Sequence, residues 1–225
     1  MTQMSDAMAL FTTDVLPILW LTLQVSLAAV LISTLIGVPF AIGLGLSRHP
    51  AKRWISAVVH TGMALPPVVV GLVLYIVLSK NGPLGFLGWL FTVQAMIVAQ
   101  TILALPFVIG ITMSGVAGIP RELADQLRSL GASERQCRWT ILRETRQSVF
   151  LAIAAAFGRS VSEVGAVLMI GGNIAGHTRV LTTAIVLETS KGRLEFGLVL
   201  GATLLVVALA VNLLIIRLQA SGRPA

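Results

Sequence analysis

The sequence predicts an all-α membrane protein with five transmembrane helices and a cytoplasmic loop between the third helix and the fourth. Hydrophobic residues make up 56% of the 225 residues, and charged residues only 11%. Three stretches carry no charged side chain at all: residues 15–46, residues 81–120 and residues 196–216. A helix needs only about 20 apolar residues to cross the hydrocarbon core of a bilayer. Each of the three stretches is therefore long enough to span the membrane.

We predict five membrane spans in chain order, at residues 15–46, 55–79, 89–113, 147–170 and 194–216. The uncharged stretch before span three is too long for one helix. Its first part contains Gly82, Pro83, Gly85 and Gly88, which are typical of a loop. The chain is predicted to form one transmembrane domain over residues 15–217, between an external N-terminus at residues 1–14 and a cytoplasmic tail at residues 218–225.

The distribution of Lys and Arg predicts how the chain is oriented, because cytoplasmic loops are enriched in positive charge. Three of these residues lie between spans one and two, six lie between spans three and four, and two follow span five, which makes eleven. The alternate loops hold four, and Arg159 lies inside a span. We therefore expect the N-terminus outside and the C-terminus in the cytoplasm of a multi-pass protein of the plasma (inner) membrane. The net charge of +7 is then explained by lipid head groups and cytoplasmic partners, without nucleic acid.

Residues 121–146, which we name the arginine-rich loop, hold six of the sixteen Lys and Arg residues. Pro120 is placed like the first residue of a helix, and Gly131 like the residue that follows a helix end. Ser133 and Gln136 match a capping box that begins a second helix. The first helix would carry a ridge of three leucines, Leu123, Leu127 and Leu130. Two interpretations are open at this point: a docking surface for a cytoplasmic partner, or a surface helix that lies on lipid.

Several motifs of this chain resemble the type-1 permease family of ATP-binding cassette (ABC) importers. That family has a cytoplasmic loop with the pattern Glu-Ala-Ala, three residues, Gly, nine residues, Ile, one residue, Leu-Pro. Here Asp125-Gln126-Leu127, Gly131 and Ile141 stand at those spacings, while Arg143-Glu144 replaces Leu-Pro.

The resemblance covers most of the chain, from about residue 21 to residue 216. Leu65-Pro66-Pro67 and the segment from Arg159 to Ala166 resemble molybdate and tungstate permeases. The run from Gly171 to Ile185 is similar to the tungstate-specific branch of that family.

The resemblance implies a permease that moves an oxyanion inward by alternating access, and tungstate is the ion we expect. Its partners would be a second copy of the permease, two cytoplasmic ATPase subunits and an external oxyanion-binding protein. The alternatives are a molybdate or other oxyanion permease, or a secondary carrier or channel. The chain has no Gly-x-x-x-x-Gly-Lys-Ser/Thr phosphate loop, so any ATP would be hydrolysed by another subunit. We therefore expect no enzyme activity, cofactor or metal on this chain.

By the same resemblance, the segment from Pro120 to Gly131 is a coupling helix that fits into a groove of the ATPase. The coupling residues implied by the resemblance lie along the arginine-rich loop: Leu123, Asp125, Leu127, Leu130, Gly131 and Ile141.

Arg159 and Glu163 lie four residues apart on one face of span four. Charged side chains inside a membrane are costly unless they are paired with each other or in contact with water. These two residues either neutralise each other as a structural ion pair or take part in gating the substrate path. Pro66 and Pro67 interrupt span two, and they either line the path or only kink the helix.

The glycine-rich segment after span four is the densest set of hydrogen-bond donors predicted on the outer side. Backbone N–H groups and hydroxyls in such a segment can face an anion. One interpretation is that this segment belongs to the substrate path or its gate. The other is that it is an ordinary loop whose shape is set by its glycines. The residues concerned are Gly172, Asn173, Thr178, Arg179, Thr182 and Thr183.

Overall fold

The computed structural model describes residues 14–47 and 49–221 and is built from helices. The helices of this part of the chain are α1 (Leu16–Leu46), α2 (Lys52–Met63), α3 (Pro67–Leu78), α4 (Val93–Ala117), α5 (Arg121–Ser129), α6 (Glu134–Glu144), α7 (Arg146–Val161), α8 (Gly165–Gly171), α9 (Leu181–Ser190) and α10 (Leu194–Ser221), with one 3₁₀ turn at Gly85–Leu87.

Three of these helices, α1, α4 and α10, are long and apolar enough to cross a membrane on their own. Two further candidates are bent pairs, in which α2 meets α3 at 98° and α7 meets α8 at 56°. The predicted all-α fold with five spans is confirmed, provided that each bent pair is counted as one span. Spans two and four are therefore broken helices.

The break in span two follows from its two prolines. Pro66 has an extended backbone, with φ −65° and ψ 122°, and Pro67 begins α3. A proline lacks the N–H of a helical hydrogen bond and keeps the residue before it out of the helical region. Ala64 already ends α2. Of the two interpretations of Pro66 and Pro67, the kink is thus observed, and a role in the path remains a prediction.

The break in span four has no proline. Helix α7 ends at Val161, and α8 begins at Gly165. The Oε1 atom of Glu163 accepts a hydrogen bond of 2.9 Å from the N–H of Ala166, which would otherwise lack a partner in the first turn of α8. A buried carboxylate thus supplies an acceptor for one of the N–H groups that the break leaves without a helical partner.

Small residues bring the helices close together. Helices α1 and α4 run in the same direction, because Gly37 faces Val108 and Gly45 faces Val116 further along both helices. A Cβ atom on Gly37 would lie 2.9 Å from Cγ1 of Val108. A Cβ atom on Gly71 of α3 would lie 2.8 Å from the Cα atom of Ala166 on α8. Such close backbone approach is how helices associate in a membrane, where apolar burial gives little driving force. The main buried cluster includes Phe157 and Ile141.

Several local expectations need correction. Helix α9 occupies residues to which the sequence analysis assigned no helix, and α4 begins and ends four residues later than predicted. Pro120 precedes α5 as its N-cap instead of starting it. Most of the predicted external N-terminus, together with Arg48 and Arg223, lies outside the described residues.

Candidate coupling surface and membrane-embedded site

The turn of the arginine-rich loop is built by glycine. Gly131 has φ +85°, a backbone region that residues with a Cβ atom rarely adopt. Its N–H donates to the carbonyl of Arg128, and the N–H of Ala132 donates to the carbonyl of Leu127, both at 2.9 Å. These two bonds form a Schellman motif, which satisfies free carbonyls at the end of α5. The predicted role of Gly131 as the residue after the helix end is confirmed.

The second helix of the loop begins with the predicted capping box. The N–H of Gln136 donates to Oγ of Ser133 at 3.3 Å, and the N–H of Ser133 donates to Oε1 of Gln136 at 2.8 Å. Each side chain thus satisfies a backbone donor near the start of α6. Because both ends of the turn are held by local bonds, the angle between α5 and α6 is well defined.

An ion pair across the turn ties the two helices together. Nε of Arg128 donates to Oε1 of Glu134 at 2.7 Å, and Nη1 of Arg128 donates to Oδ1 of Asp125 at 3.2 Å. The hydrogen bond and the positive charge of Arg128 lower the pKa of Glu134 from its ordinary value of 4.5. The same pairing raises the pKa of Arg128. Both groups are solvent-exposed, so this contact orients the loop more than it stabilises the fold.

The leucines of α5 and its C-cap residue Leu130 face in different directions, so they do not form one outward ridge. Leu130 is 85% exposed, whereas Leu123 packs against the main buried cluster of the membrane domain. Ile141 of α6 is only 1% exposed and belongs to that same cluster. Leu123 and Ile141 therefore anchor the loop to the membrane domain, and Leu130 with Asp125 is presented outward.

The charged pair in span four makes direct contact. Nη1 of Arg159 lies 2.7 Å from Oε2 of Glu163, and the side-chain exposures are 22% and 2% respectively. The predicted proximity of the two charges is therefore observed. A buried carboxylate of this kind needs both a counter-ion and hydrogen-bond donors.

Glu163 also joins three helices. Its carboxylate binds Arg159 of α7 and the N–H of Ala166 of α8, and its backbone carbonyl accepts a hydrogen bond of 2.8 Å from Oγ1 of Thr182 on α9. We name this set of contacts the Glu163 junction. Both carboxylate oxygens are occupied by protein donors, which favours the structural interpretation of the pair.

The two breaks lie against each other. A Cβ atom on Gly165, two residues after Glu163, would lie 2.8 Å from Cγ2 of Val68, which directly follows Pro67. Helices α3 and α8 then continue side by side and share a cluster that contains Val70 and Ile170. The sequence indicated the interruption at Pro66 and Pro67 and the charged pair in span four as separate features. The break after Val161 was not predicted, and it is the fold that brings these features together.

The glycine-rich segment folds into a tight loop in which Gly172, Asn173 and Gly176 have positive φ. Thr178 is buried, its hydroxyl donates to the carbonyl of Gly171, and the same oxygen accepts the N–H of Ile174 at 3.0 Å. Thr183 is also buried, and its oxygen accepts the N–H of Val180 at 3.1 Å.

Arg179, the cation of this segment, is also hydrogen-bonded to other residues of the segment. Nε of Arg179 donates to Oδ1 of Asn173 at 3.2 Å, and Nδ2 of Asn173 donates to the carbonyl of Thr183 at 3.3 Å. The hydroxyls of Thr178 and Thr182 are committed to protein carbonyls. In this conformation the hydroxyl of Thr178 is bonded within the segment and that of Thr182 is bonded to Glu163, and an anion would have to replace some of these bonds.

Sequence reasoning missed three residues that hold these sites together. Glu134 stands six residues after Arg128, and an acidic residue just beyond a helix-ending glycine was the available signal. Thr22 of α1 accepts the N–H of Leu181 at 2.9 Å, and Gly71 permits the contact of α3 with α8. No local pattern marks the last two, because their partners are distant in sequence.

Comparison with known proteins identifies the family. Residues 37–221 match the model of the family described as the binding-protein-dependent transport system inner membrane component. This chain belongs to that family. It is a multi-pass permease of the ABC importer type, and thus a transporter component and not an enzyme.

Similar curated proteins cover nearly the whole chain. A probable anion ABC transporter permease of Haloferax volcanii is 44% identical over 86% of this chain and 85% of its own length. The tungstate uptake permease of Peptoclostridium acidaminophilum is 40% identical over 93% of this chain and 92% of its own length. The molybdenum transport permease of Escherichia coli K12 is 30% identical over 86% of this chain and 87% of its own length.

A solved structure of the MetNI methionine ABC transporter, in inward-facing conformations, has a chain with the same fold. The TM-score is 0.68 at 23% sequence identity, and the match covers 96% of this chain and 94% of the other.

Proposed function

We propose that this permease carries tungstate across the membrane as part of an ATP-driven importer. The observation that carries the proposal is its identity of 40% with the Peptoclostridium tungstate permease, against 30% with the Escherichia coli molybdenum permease. A second tungstate permease, from Campylobacter jejuni, is 39% identical over 75% of this chain.

The arginine-rich loop supports coupling to a separate ATPase. Its helix–turn–helix is fixed by the Schellman motif, the capping box and the Arg128–Glu134 pair, and it is anchored through Leu123 and Ile141. A rigid surface of this kind transmits movement of a partner to the helices of the membrane domain. In this proposal, Leu130 and Asp125 contact the ATPase, and a second copy of the chain completes the pore.

The paired breaks support a translocation path beside α3 and α8. Irregular backbone at membrane depth is tolerated where other protein or a cavity satisfies its polar groups. Pro66 and Pro67 at one break and the Glu163 junction at the other would form the wall of this path, and rearrangement of α3 against α8 would open it.

The deciding experiment is uptake by vesicles that contain this permease and its co-encoded ATPase, supplied with the co-encoded binding protein. We expect tungstate to drive ATP hydrolysis and to accumulate inside, and molybdate to do so less well. Equal coupling by sulfate and tungstate would contradict the proposal. Preferred coupling by molybdate would support the runner-up, for which the 30% identity with the molybdenum permease is the specific observation.

The proposed orientation has the arginine-rich loop in the cytoplasm. Cys137 is buried, so the native thiol is a poor reporter. In a Cys137→Ala background, Asn81→Cys should react from outside with a membrane-impermeant reagent, and Arg143→Cys should react only after permeabilisation. The reverse pattern would overturn the orientation.

A further inference from the structure

A cleft of about 610 Å³ lies between α1 and the second helix of the arginine-rich loop, α6. Its apolar wall is formed by Val38, Pro39 and Ile42 of α1, together with Leu142 of α6. Arg135, Arg138 and Trp139 of α6 stand at its rim, and all three are exposed. The residues so far assigned to coupling are not among those that line this cleft, so it is a separate feature of the loop.

Neither arginine at the rim is held in a close ion pair, although the positive charge of Arg138 adds to that of Arg128 in lowering the pKa of Glu134. Among the ion pairs of the described residues, Glu134 is held by Arg128 and Glu188 by Lys191 and Arg193, and none involves Arg135 or Arg138. The neutral polar side chains of the rim are already used, because Gln136 belongs to the capping box and the hydroxyl of Thr140 donates to the carbonyl of Gln136. The cleft therefore offers positive charge above an apolar wall.

The position of the wall selects the kind of occupant. Pro39 and Ile42 lie seven and four residues before the end of α1 at Leu46, which places them roughly 11 and 6 Å along the helix from that end. Helix α1 is a candidate membrane span of 31 residues, about 46 Å long, and so exceeds the hydrocarbon core of about 30 Å. Pro39 and Ile42 therefore lie close to the boundary between hydrocarbon and head groups. Trp139 is 62% exposed beside it, and tryptophan is enriched where membrane meets water.

We propose that this cleft binds an anionic phospholipid of the leaflet that faces the arginine-rich loop. The phosphate of the head group would lie between Arg135 and Arg138, and an acyl chain would lie along Pro39 and Ile42. Basic pockets beside transmembrane helices bind acidic head groups through this combination of charge and apolar contact. The lipid would hold α6 against α1 and so set the position of the arginine-rich loop relative to the membrane.

The experiment measures fluorescence quenching of Trp139 by lipids with brominated acyl chains. The full-length chain is reconstituted in phosphatidylcholine vesicles that contain a minor fraction of brominated phosphatidylglycerol or, in parallel, of brominated phosphatidylcholine. The signal of Trp139 is the difference between the chain and its Trp139→Phe variant. We expect phosphatidylglycerol to quench Trp139 at a much lower fraction than phosphatidylcholine does.

Substitution then tests the arginines. Each arginine near an anionic surface contributes a factor of about five, so the double variant Arg135→Gln/Arg138→Gln should lower the preference for phosphatidylglycerol by about 25-fold. Arg143→Gln is the matched control, because Arg143 is an exposed arginine of the same helix outside the cleft, and it should keep the preference. Arg135→Lys/Arg138→Lys should keep most of the preference for phosphatidylglycerol. This result would show that the Gln variant loses the preference because it loses charge and not because it fails to fold.

Two results would overturn the proposal. One is equal quenching by the two lipids, or a preference that survives Arg135→Gln/Arg138→Gln. The other is loss of phosphatidylglycerol quenching when the ATPase subunit is added, because the cleft would then be covered by that protein in the assembled transporter.

Discussion

Glu163 shows how a single residue can make a break in a membrane helix tolerable. Its side chain is 2% exposed and binds both the guanidinium of Arg159 and the N–H of Ala166. A buried charge without these partners would be far more costly than the helical hydrogen bonds that the break removes. The contacts favour a structural role for the pair, and its role in the path remains a prediction.

Single and double substitutions of this pair should differ in a defined way. Arg159→Gln leaves Glu163 charged, buried and short of a counter-ion, which should cost up to about 3 kcal/mol of folding free energy. Glu163→Gln keeps an oxygen for the N–H of Ala166 and should cost less, and the double variant should recover most of the loss of Arg159→Gln. The measurement is thermal unfolding of the detergent-solubilised protein, and size-exclusion chromatography monitors the fraction that stays folded after heating.

Transport by the same double variant separates structure from gating. Full recovery of both stability and uptake would show that the two charges have no role in the path. Normal stability with lost uptake would place at least one of them in the gate.

The contact of Arg128 with Glu134 predicts how the carboxylate of Glu134 titrates with pH. Arg128 holds the pKa of Glu134 below its ordinary value of 4.5, so the folded pKa lies below the unfolded one. The contribution of the pair is fully present above the unfolded pKa and is lost as the pH falls through the lowered folded pKa. Isotope-edited infrared titration of the carboxylates, with Glu134→Gln as the reference, should give a midpoint below 4.5 for Glu134. In Arg128→Gln that midpoint should rise, and an unchanged midpoint would contradict the assignment.

At the scale of helices, the turn at Gly131 tests the coupling proposal. A Cβ atom there would meet nothing within 4 Å, but φ is +85°, so the cost of a side chain comes from the backbone alone. Gly131→Val should cost about 1–2 kcal/mol locally and change the angle between α5 and α6. We expect normal amounts of permease in the membrane and a loss of substrate-stimulated ATP hydrolysis.

Gly158→Ala is the matched control for this variant. Gly158 lies inside α7, its added Cβ would also meet nothing within 4 Å, and its φ lies outside the positive range. Alanine is favoured over glycine in a helix, so this variant should keep coupling. Undiminished coupling in Gly131→Val would argue against the arginine-rich loop as the contact with the ATPase.

The elements that sequence predicted well are those set by local chemistry. The glycine turn, the capping box and the proline break each depend on residues within a few positions of one another. The break after Val161 and helix α9 depend instead on contacts between distant segments, such as Leu181 with Thr22, 159 residues apart, and Thr182 with Glu163. Periodicity alone could not reveal them, because the polar groups that satisfy these segments come from other helices.

At the scale of the whole molecule, the fold brings features that are separate in the sequence into two regions, the broken spans and the arginine-rich loop, and connects these regions. The broken spans meet where Gly165 contacts Val68, and Thr182 of α9 is bonded to Glu163 at the break in span four. The arginine-rich loop is anchored in the buried cluster that also includes Phe157 of α7, four residues before the break. Helix α7 therefore connects the cluster that anchors the loop to the break in span four.

The last prediction asks whether this subunit selects its ion. Arg179 is held by Asn173 in the glycine-rich segment, and tungstate and molybdate have the same charge and nearly the same size. If the segment only conducts what the binding protein delivers, Arg179→Gln should slow both ions by the same factor, roughly fivefold for the loss of about 1 kcal/mol of attraction. Lys80→Gln is the control, because Lys80 is an exposed cation on the same predicted side, and it should change both rates little. Uptake is measured in reconstituted vesicles with saturating binding protein loaded with one ion or the other. A change of about tenfold in the ratio of the two rates, equivalent to about 1.4 kcal/mol, would show that Arg179 belongs to a true specificity site, since only a contact that differs between the ions can discriminate them.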